Sequence, residues 1–530
     1  MGQHDERQHR GRCGYRRAYH RGQADRRFAL WTVTAFKEET RVYRQIIGYI
    51  PANVVPAIIS TLMIYAYTRL LSPTEFGEYS FIFAAALVLQ TSLFYAVPIA
   101  VMRFYPGAVR DGRRDGLLKE AYLVFYGLSL VAILISVGGG MLLTLPDAYR
   151  LSAWLALPML LARALVQLNQ AVNRSANAMV RYNTIECLHV TLGLVFGVVA
   201  LYILGPGAEA IITGLFLAAL LCALFDIKLF LTPVRHAADV LDRVQLMRLV
   251  AYAWPMVAVA ATAMMLQNSD RFLLGSLSSA ELLGIFAVAY NLVDRPTSII
   301  CSSVSTAMFP LVVQVLENKG KEAARIQAGR NGIALLAVTL PACAGLAMTA
   351  DYVAATLVGP AFREGVATLI PIMAFTALAR GLRSHFIDHA FHLSGKPLLM
   401  LWTYGPATVL NVALNLFVIP RFGTVGAAWT AFACQWATVI AGWFIGTALF
   451  PVWLPVWQVV RTLAAVVPMA VVIGLVRFPL DWGGLFSAIA LGGMVYVVSA
   501  LTLDVGEFRS EGIAALRRVV GRRGRLVLDN

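Results

Sequence analysis

The chain has 530 residues and a formal net charge of +15, and 59% of its residues are hydrophobic while only 14% are charged. Soluble globular chains contain about 45–50% apolar and about 25% charged residues. The composition therefore excludes a set of ordinary soluble domains, because such a chain has too little polar surface to cover itself in water.

Long apolar segments recur from one end of the chain to the other. A helix needs about 20 mostly apolar residues to cross the hydrocarbon core of a bilayer. The segments lack the period-two alternation that is typical of membrane-barrel strands. We therefore predict an all-α polytopic membrane protein with about fourteen transmembrane helices, at residues 46–67, 81–102, 121–145, 151–170, 185–204, 208–231, 249–266, 283–309, 332–349, 368–391, 398–419, 425–450, 459–476 and 484–503.

Basic residues are concentrated in alternate gaps between these segments. Lys and Arg are concentrated in the N-terminal tail, in every second gap and in the C-terminal tail, whereas the opposite gaps are short and nearly free of them, for example at 72–78 and 205–209. Because Lys and Arg in short loops mark the cytoplasmic face, we predict a bacterial inner-membrane protein with both termini cytoplasmic. The excess of positive charge follows this topology, so we expect the lipid bilayer as a partner and no nucleic acid.

The two halves of the chain contain related segments. Residues 69–79 follow the first predicted helix, residues 271–286 follow the seventh, and both segments read as Arg, a short turn, Ser, Glu, Gly and an aromatic residue. Repeats with an even number of helices share one orientation, as in some alternating-access transporters. We therefore divide the chain into a basic, disordered tail (1–42), an N-lobe of helices one to six (43–236), a C-lobe of helices seven to twelve (237–452), a final helix pair (453–504) and a basic tail (505–530).

The repeat segments also carry a resemblance to a known family. Residues 69–81, residues 270–290 and the motif Asn411-x-x-x-Asn415-x-x-x-Ile-Pro420-x-x-Gly423 resemble polysaccharide flippases of the Wzx type. These belong to the multidrug, oligosaccharidyl-lipid and polysaccharide exporter superfamily. The resemblance implies translocation of an undecaprenyl-diphosphate-linked oligosaccharide to the periplasmic leaflet for lipopolysaccharide or exopolysaccharide synthesis. It also implies the polymerase and chain-length machinery of a surface glycan as partners.

Arginines within the predicted spans are the first candidates for the transport site, because a charge is costly in hydrocarbon. Arg163 lies in the fourth span, and Arg380 and Arg383 lie in the tenth, which corresponds to the fourth in the repeat. We expect these arginines to face one another across a cavity. Guanidinium groups stay charged and fork onto phosphate oxygens, which suits a diphosphate. The alternative is that each arginine is paired with a carboxylate or with helix carbonyls for structure.

The eighth span contains a polar group of Asn291, Asp294 and Arg295, followed by Pro296. This pattern favours a kinked helix that lines the interior. Asp294 would neutralise a neighbouring arginine in the absence of substrate, or bind a coupling cation. A structural ion pair is an equally good interpretation.

Asp270 and two prolines are further candidates for ion coupling or gating. Asp270 lies near the predicted periplasmic end of the seventh span, while its neighbour Arg271 is expected to stabilise the repeat turn, as is Arg69. Pro51 and Pro255 lie in the early turns of the first and seventh spans, where proline weakens a helix. We predict that these two helices form a lateral gate.

His385, Asp388, His389 and His392 have the spacing of residues that share one helical face. We interpret this stripe as a polar cavity wall that contacts sugar or phosphate. A metal site or a proton relay is the alternative, but the sequence offers no second ligand cluster. We therefore predict no metal and no cofactor.

Three other functions stay open at this point. A flippase for a lipid-linked peptidoglycan precursor would carry the same diphosphate. A multidrug exporter would need an acidic cavity for cationic drugs, which the mid-span arginines do not favour. A membrane-embedded glycan ligase or acyltransferase would need larger extramembrane loops or a nucleophile paired with a base, so we predict that the chain is not an enzyme.

Overall fold

The computed structural model describes residues 51–142, 147–229, 243–507 and 509–510. The predicted tail at 1–42 lies outside these residues, as does the tail at 505–530 from residue 511 onward. Residues from Ala52 onward belong to one unit, and all contacts described below lie within it.

The described residues form long helices joined by short connections. We call α1–α7 the N-half and α8–α13 the C-half. The helices are α1 (Pro51–Leu70), α2 (Pro73–Phe94), α3 (Ala96–Arg110), α4 (Arg114–Leu142), α5 (Asp147–Ser175), α6 (Met179–Leu204), α7 (Ala208–Phe225), α8 (Arg243–Leu277), α9 (Ala280–Met348), α10 (Ala350–Leu357), α11 (Arg363–Leu382), α12 (Asp388–Leu393), α13 (Leu401–Leu449), α14 (Val456–Leu475) and α15 (Trp482–Thr502).

The serines of the repeat start the second helix of each half. In α2, the Glu75 amide donates to Ser72 Oγ at 3.3 Å and the Ser72 amide donates to Glu75 Oε2 at 2.7 Å, which is a capping box. In α9, the Leu282 amide donates to Ser279 Oγ at 3.2 Å. Helix α2 begins at Pro73 directly after this cap and ends at Phe94, so the predicted span at 81–102 runs across the junction of α2 and α3.

Two of the helices contain a glycine break. Gly320 in α9 has φ of 81° and Gly423 in α13 has φ of 55°. These values lie in the left-handed region that glycine adopts without a steric penalty. Each break falls between two predicted spans, so α9 and α13 each contain a pair of spans. Ten of the described helices are long and apolar enough to cross a membrane, and the all-α polytopic fold is confirmed. The count of fourteen stays a prediction.

The outer surface of the bundle is apolar. Leu134 is 62% exposed, Phe417 is 67% exposed and Leu475 is 77% exposed. Large side chains exposed at this density fit lipid contact, because a soluble monomer rarely shows large contiguous apolar patches to water.

Helix α2 connects the two halves inside the bundle. It packs against α5 and α7 of the N-half and against α8 and α9 of the C-half. Helix α11 lies between α9 and α13 within the C-half. The junction of the halves therefore lies where α2 meets α8 and α9, with α5 packed on α2 and α11 packed on α9.

Candidate anion site

A group of arginines and tyrosines lies at the junction of the halves, and we call it the arginine cluster. Tyr79 on α2 interacts electrostatically with three of the arginines, and Arg163 also interacts with Arg295. The Arg163 guanidinium lies 5.1 Å from the centre of the Phe83 ring. The members of the cluster are Arg163 on α5, Arg271 on α8, Arg295 on α9, Arg380 on α11, and the tyrosines Tyr79 and Tyr290.

Tyr290 on α9 contacts two of these arginines. The guanidinium carbon of Arg271 lies 4.5 Å from the centre of the Tyr290 ring, and that of Arg380 lies 5.0 Å from it. Arg380 Nη1 also donates a hydrogen bond to the Tyr290 hydroxyl at 2.9 Å. Cation–π contacts of this kind hold a guanidinium in place without neutralising it.

The positive charge of the cluster is only partly balanced. Arg380 Nη2 forms an ion pair with Asp294, and this is the only ion pair of the four arginines within the described residues. Asp270 and Glu186 lie within electrostatic range of Arg271 and Arg163 but form no ion pair with them. The Nε atoms of Arg163 and Arg271 are buried without a hydrogen-bond partner. Guanidinium groups in this state are available to an anion.

Asp270 lies beside the cluster, against α13. Its side chain is 4% exposed, and its Oδ1 accepts hydrogen bonds from Asn411 Nδ2 at 3.0 Å and Asn415 Nδ2 at 2.6 Å. A small cavity is lined by Asp270, Tyr290, Arg380 and Gln435, among others. The structure thus places Asp270 inside the C-half, beside the arginine cluster.

Arg383 is not part of the arginine cluster, in contrast to the expectation from the sequence. Its side chain is 2% exposed, its Nη1 donates to Gln435 Oε1 at 3.1 Å, and its guanidinium lies 4.4 Å from the Tyr404 ring. Both partners belong to α13, whereas the partners of Arg380 belong to α9. Arg380 lies near the end of α11, and Arg383 is the first residue of the π-helical turn that follows. The two arginines are three residues apart and contact different neighbours, which the helical spacing alone does not determine.

The predicted stripe of histidines and Asp388 is divided between two neighbours. His389 Nε2 lies 3.3 Å from Ser305 Oγ, and its ring lies 4.1 Å from the ring of Phe309, so it contacts α9. Asp388 is buried and accepts a hydrogen bond from the Tyr404 hydroxyl on α13. A π-helical turn at Arg383–Ile387 precedes these residues and changes the register of the face. A single polar wall is therefore the wrong description.

The other predicted site residues have the following positions. Asn291 and Arg295 lie on α9, where Asn291 is half-buried and Arg295 is exposed. His385 lies in the π-helical turn and is half-buried, and His392 lies on α12 and is exposed. Pro51 begins α1 in the described part of the chain, and Pro255 lies within α8. Within the described residues, no group of three or more His, Cys, Asp or Glu side chains could hold a metal ion.

Several residues of the site were missed in the sequence. Arg271 is missed because it follows the predicted seventh span at 249–266, whereas the structure places it within α8 (Arg243–Leu277) and buries it. Asn411 and Asn415 have the four-residue spacing of one helical face, which would have identified them as neighbours of a polar site. Tyr79 and Tyr290 give no signal of their own, because aromatic residues are common throughout membrane helices.

Comparisons with known proteins agree with this architecture. A family model described as polysaccharide biosynthesis protein matches residues 118–367, a range that contains three of the four cluster arginines. The lipid II flippase MurJ in an inward closed conformation is 12% identical, with a TM-score of 0.70 over 87% of this chain and 99% of that chain. The chain has the fold of a MOP superfamily transporter. The predicted resemblance to the polysaccharide flippases is thereby confirmed.

Two other transporters share the fold at lower similarity. A multidrug resistance MATE family transporter of the MOP superfamily in an inward-facing conformation is 13% identical, with a TM-score of 0.56 over 75% of this chain and 97% of that one. A MOP superfamily transporter from Pyrococcus furiosus, described as having a binding pocket of reverse polarity, is 15% identical, with a TM-score of 0.52 over 77% and 94%. No curated protein sequence matches the chain significantly.

Proposed function

We propose that the protein is a flippase that moves an undecaprenyl-diphosphate-linked oligosaccharide from the cytoplasmic to the periplasmic leaflet by alternating access. The observation that carries this proposal is the arginine cluster at the junction of the halves. It places four guanidinium groups from both halves in one polar region, and only one of them is ion-paired among the described residues.

The chemistry of the substrate requires such a site. A diphosphate cannot enter roughly 30 Å of hydrocarbon unless its charge is compensated, because desolvating a charge costs many times the thermal energy. Guanidinium groups form forked hydrogen bonds with phosphate oxygens and remain charged in an apolar environment. The lipid tail needs no such site, because it stays in the bilayer.

Asp294 is the internal counter-ion of this site. It occupies the guanidinium of Arg380 through an ion pair, and a substrate phosphate offers the same arginine a stronger, doubly charged partner. We infer that the phosphate displaces Asp294 on binding, and that Asp294 returns when the substrate leaves. Such an exchange would keep Arg380 from remaining unpaired in the empty transporter.

Asp270 is the better candidate for ion coupling. Its carboxylate is buried, accepts two amide hydrogen bonds and lies near Arg271 without an ion pair. A proton or cation that binds there changes the charge beside the arginine cluster. Asp388 is less suitable, since the arginine that interacts with it is Arg383, which lies outside the arginine cluster.

A flippase for a lipid-linked peptidoglycan precursor uses the same diphosphate chemistry, so the cluster does not separate it from the leading proposal. A multidrug exporter for cations would favour carboxylates where this chain has arginines. We therefore rank it below both flippases.

A membrane-embedded acyltransferase or ligase is the second candidate from another class. The contact between Ser305 and His389 is its only support, because a hydroxyl beside an imidazole is the arrangement of a nucleophile with its base. Within the described residues, His389 has no carboxylate partner to orient its ring, and Phe309 covers it. Ser305→Ala should therefore leave glycan synthesis unchanged, and a loss of at least about a hundredfold would favour the enzyme.

The test uses a strain that lacks the gene and is complemented with variants of the full chain. Arg163→Ala and Arg380→Ala should each reduce the surface glycan at least about tenfold, with accumulation of the lipid-linked intermediate on the inner leaflet. Arg110→Ala is the matched control, because Arg110 is exposed and lies outside the cluster. Normal glycan with both cluster variants at normal protein levels would remove the proposed function.

A further inference from the structure

Two glycines bring the halves of the molecule into backbone contact. A Cβ atom on Gly77 of α2 would overlap the carbonyl oxygen of Ala280 and lie 3.0 Å from the amide nitrogen of Gly284. A Cβ atom on Gly284 of α9 would overlap the carbonyl oxygen of Pro73 and lie 3.0 Å from the amide nitrogen of Gly77. We call these four residues the glycine seam. No side chain larger than hydrogen fits at either glycine.

The seam is reciprocal, and the repeat explains why. Pro73 and Ala280 directly follow the helix-capping serines Ser72 and Ser279, and each glycine lies four residues further along its helix. Each glycine therefore meets the first-turn carbonyl of the opposite helix. Equivalent residues that meet in this way lie about a pseudo-two-fold axis, as in a symmetric dimer interface. The sequence repeat and the contact geometry are independent observations of the same axis.

Further contacts between the halves lie beside the seam. Arg69 at the end of α1 donates from Nη2 to the Thr356 carbonyl at 3.0 Å and from Nη1 to the Leu357 carbonyl at 3.3 Å. The Gly359 amide donates to Thr68 Oγ1 at 2.9 Å. The ring of Phe76 also packs edge-on against that of Phe362. This end of the junction is therefore closed by backbone packing and a few hydrogen bonds.

The seam lies next to the arginine cluster along both helices. Tyr79 is two residues after Gly77 on α2, and Tyr290 is six residues after Gly284 on α9. Any separation of the two helices at the seam carries Tyr79 away from the arginines of the C-half. Because backbone atoms make the contact, side-chain rotamers cannot absorb an intermediate separation, so the contact is either made or broken.

We propose that the glycine seam is a gate at this end of the transport pathway, closed in this structure and opened by separation of α2 from α9 in each cycle. The proposal rests on the alternating access of the proposed function, but its test does not require the substrate. A side chain at either glycine should hold the gate apart.

The first experiment measures the distance across the seam in the purified full-length protein. Thr74 and Glu281 are exposed in the first turns of α2 and α9, so each is replaced by Cys and spin-labelled in a chain without its native cysteines. Electron–electron double resonance should give a short distance between the two spin labels in the protein with both seam glycines. The distance should be longer when Gly77→Ala or Gly284→Ala is added. Gly127→Ala is the control, because its Cβ would meet nothing within 4 Å. Parent-like distances in both seam variants would overturn the proposal.

The second experiment leaves the seam glycines unchanged, in case their variants fold poorly. A short, cleavable cross-linker between Thr74→Cys and Glu281→Cys should reduce glycan export at least about tenfold, and a reductant should restore it. Normal export with complete cross-linking would exclude a gate at the seam. If the deletion strain itself makes normal glycan while the seam variants still change the measured distance, the proposed substrate fails and the gate stands.

Discussion

The arginine that precedes the capping serine differs between the two halves in its position and in its contacts, because Arg69 lies three residues before Ser72 and Arg271 lies eight residues before Ser279. Arg69 in the N-half is exposed and donates to carbonyls at the end of α10, next to the seam. Arg271 in the C-half is 6% exposed and lies over the ring of Tyr290 in the arginine cluster. The serine caps and the seam glycines, by contrast, have the same role in both halves. The comparison shows that the repeat preserves the backbone features of the two helix starts, while the distance of the arginine from the cap decides which neighbours it meets.

The largest expected difference is between these two arginines. Arg271→Ala should reduce glycan export at least about tenfold, because it removes a guanidinium from the anion site. Arg69→Ala should reduce it less, because the contacts it removes, with Tyr65 and with the carbonyls at the end of α10, lie outside the anion site. Quantifying the surface glycan at matched protein levels checks the comparison. Equal losses in the two variants would mean that both arginines serve structure.

The ion pair between Asp294 on α9 and Arg380 on α11 is the next difference between the halves, because Arg163 of the N-half forms no ion pair among the described residues. The exchange Asp294→Arg with Arg380→Asp keeps both charges but moves the guanidinium to α9. We expect export to stay below about one tenth of the parent value, because the phosphate then meets a carboxylate on α11. Each single variant is measured beside the double. Full recovery in the double variant would show that the pair is structural only.

Removing an amide partner of Asp270 should have a smaller effect. These hydrogen bonds lie within the C-half. Asn411→Leu removes one donor from a buried carboxylate, which should lower the free energy of unfolding by about 1–3 kcal/mol. Thermal unfolding of the detergent-solubilised protein measures this change. Thr438→Val is a control on the same helix, because its hydroxyl donates only to the Gln435 carbonyl. An unchanged midpoint for Asn411→Leu would contradict the hydrogen bonds described for Asp270.

The smallest effect is expected at the two helix caps. Ser72→Ala should lower the free energy of unfolding by about 1 kcal/mol, because it removes the capping box of α2. Ser279→Ala should have a slightly smaller effect, because the Ser279 hydroxyl accepts a single hydrogen bond from Leu282. The same thermal measurement compares the two variants. A larger loss for Ser279→Ala would reverse this comparison of the halves.

The sequence by itself determined the class of fold and much of its internal order. Runs of about 20 apolar residues are long enough for membrane helices. The family resemblance followed from repeat segments in which the serines cap helices and the glycines make close backbone contacts in both halves. These features are local, because a cap or a helix break depends on residues a few positions apart. Gly320 and Gly423 show this, since each separates two apolar runs that the sequence had already divided.

The tertiary structure alone decided which charges meet. Helical spacing separates Arg380 on α11 from Arg383, which begins the π-helical turn, but only packing shows that α9 lies beside one and α13 beside the other. The π-helical turn at Arg383–Ile387 divides the histidine stripe in the same way. Arg271 lies in the site because α8, which carries it, packs against α2 and α9 from other parts of the chain. Local sequence sets the direction of each side chain, and long-range packing supplies its partner.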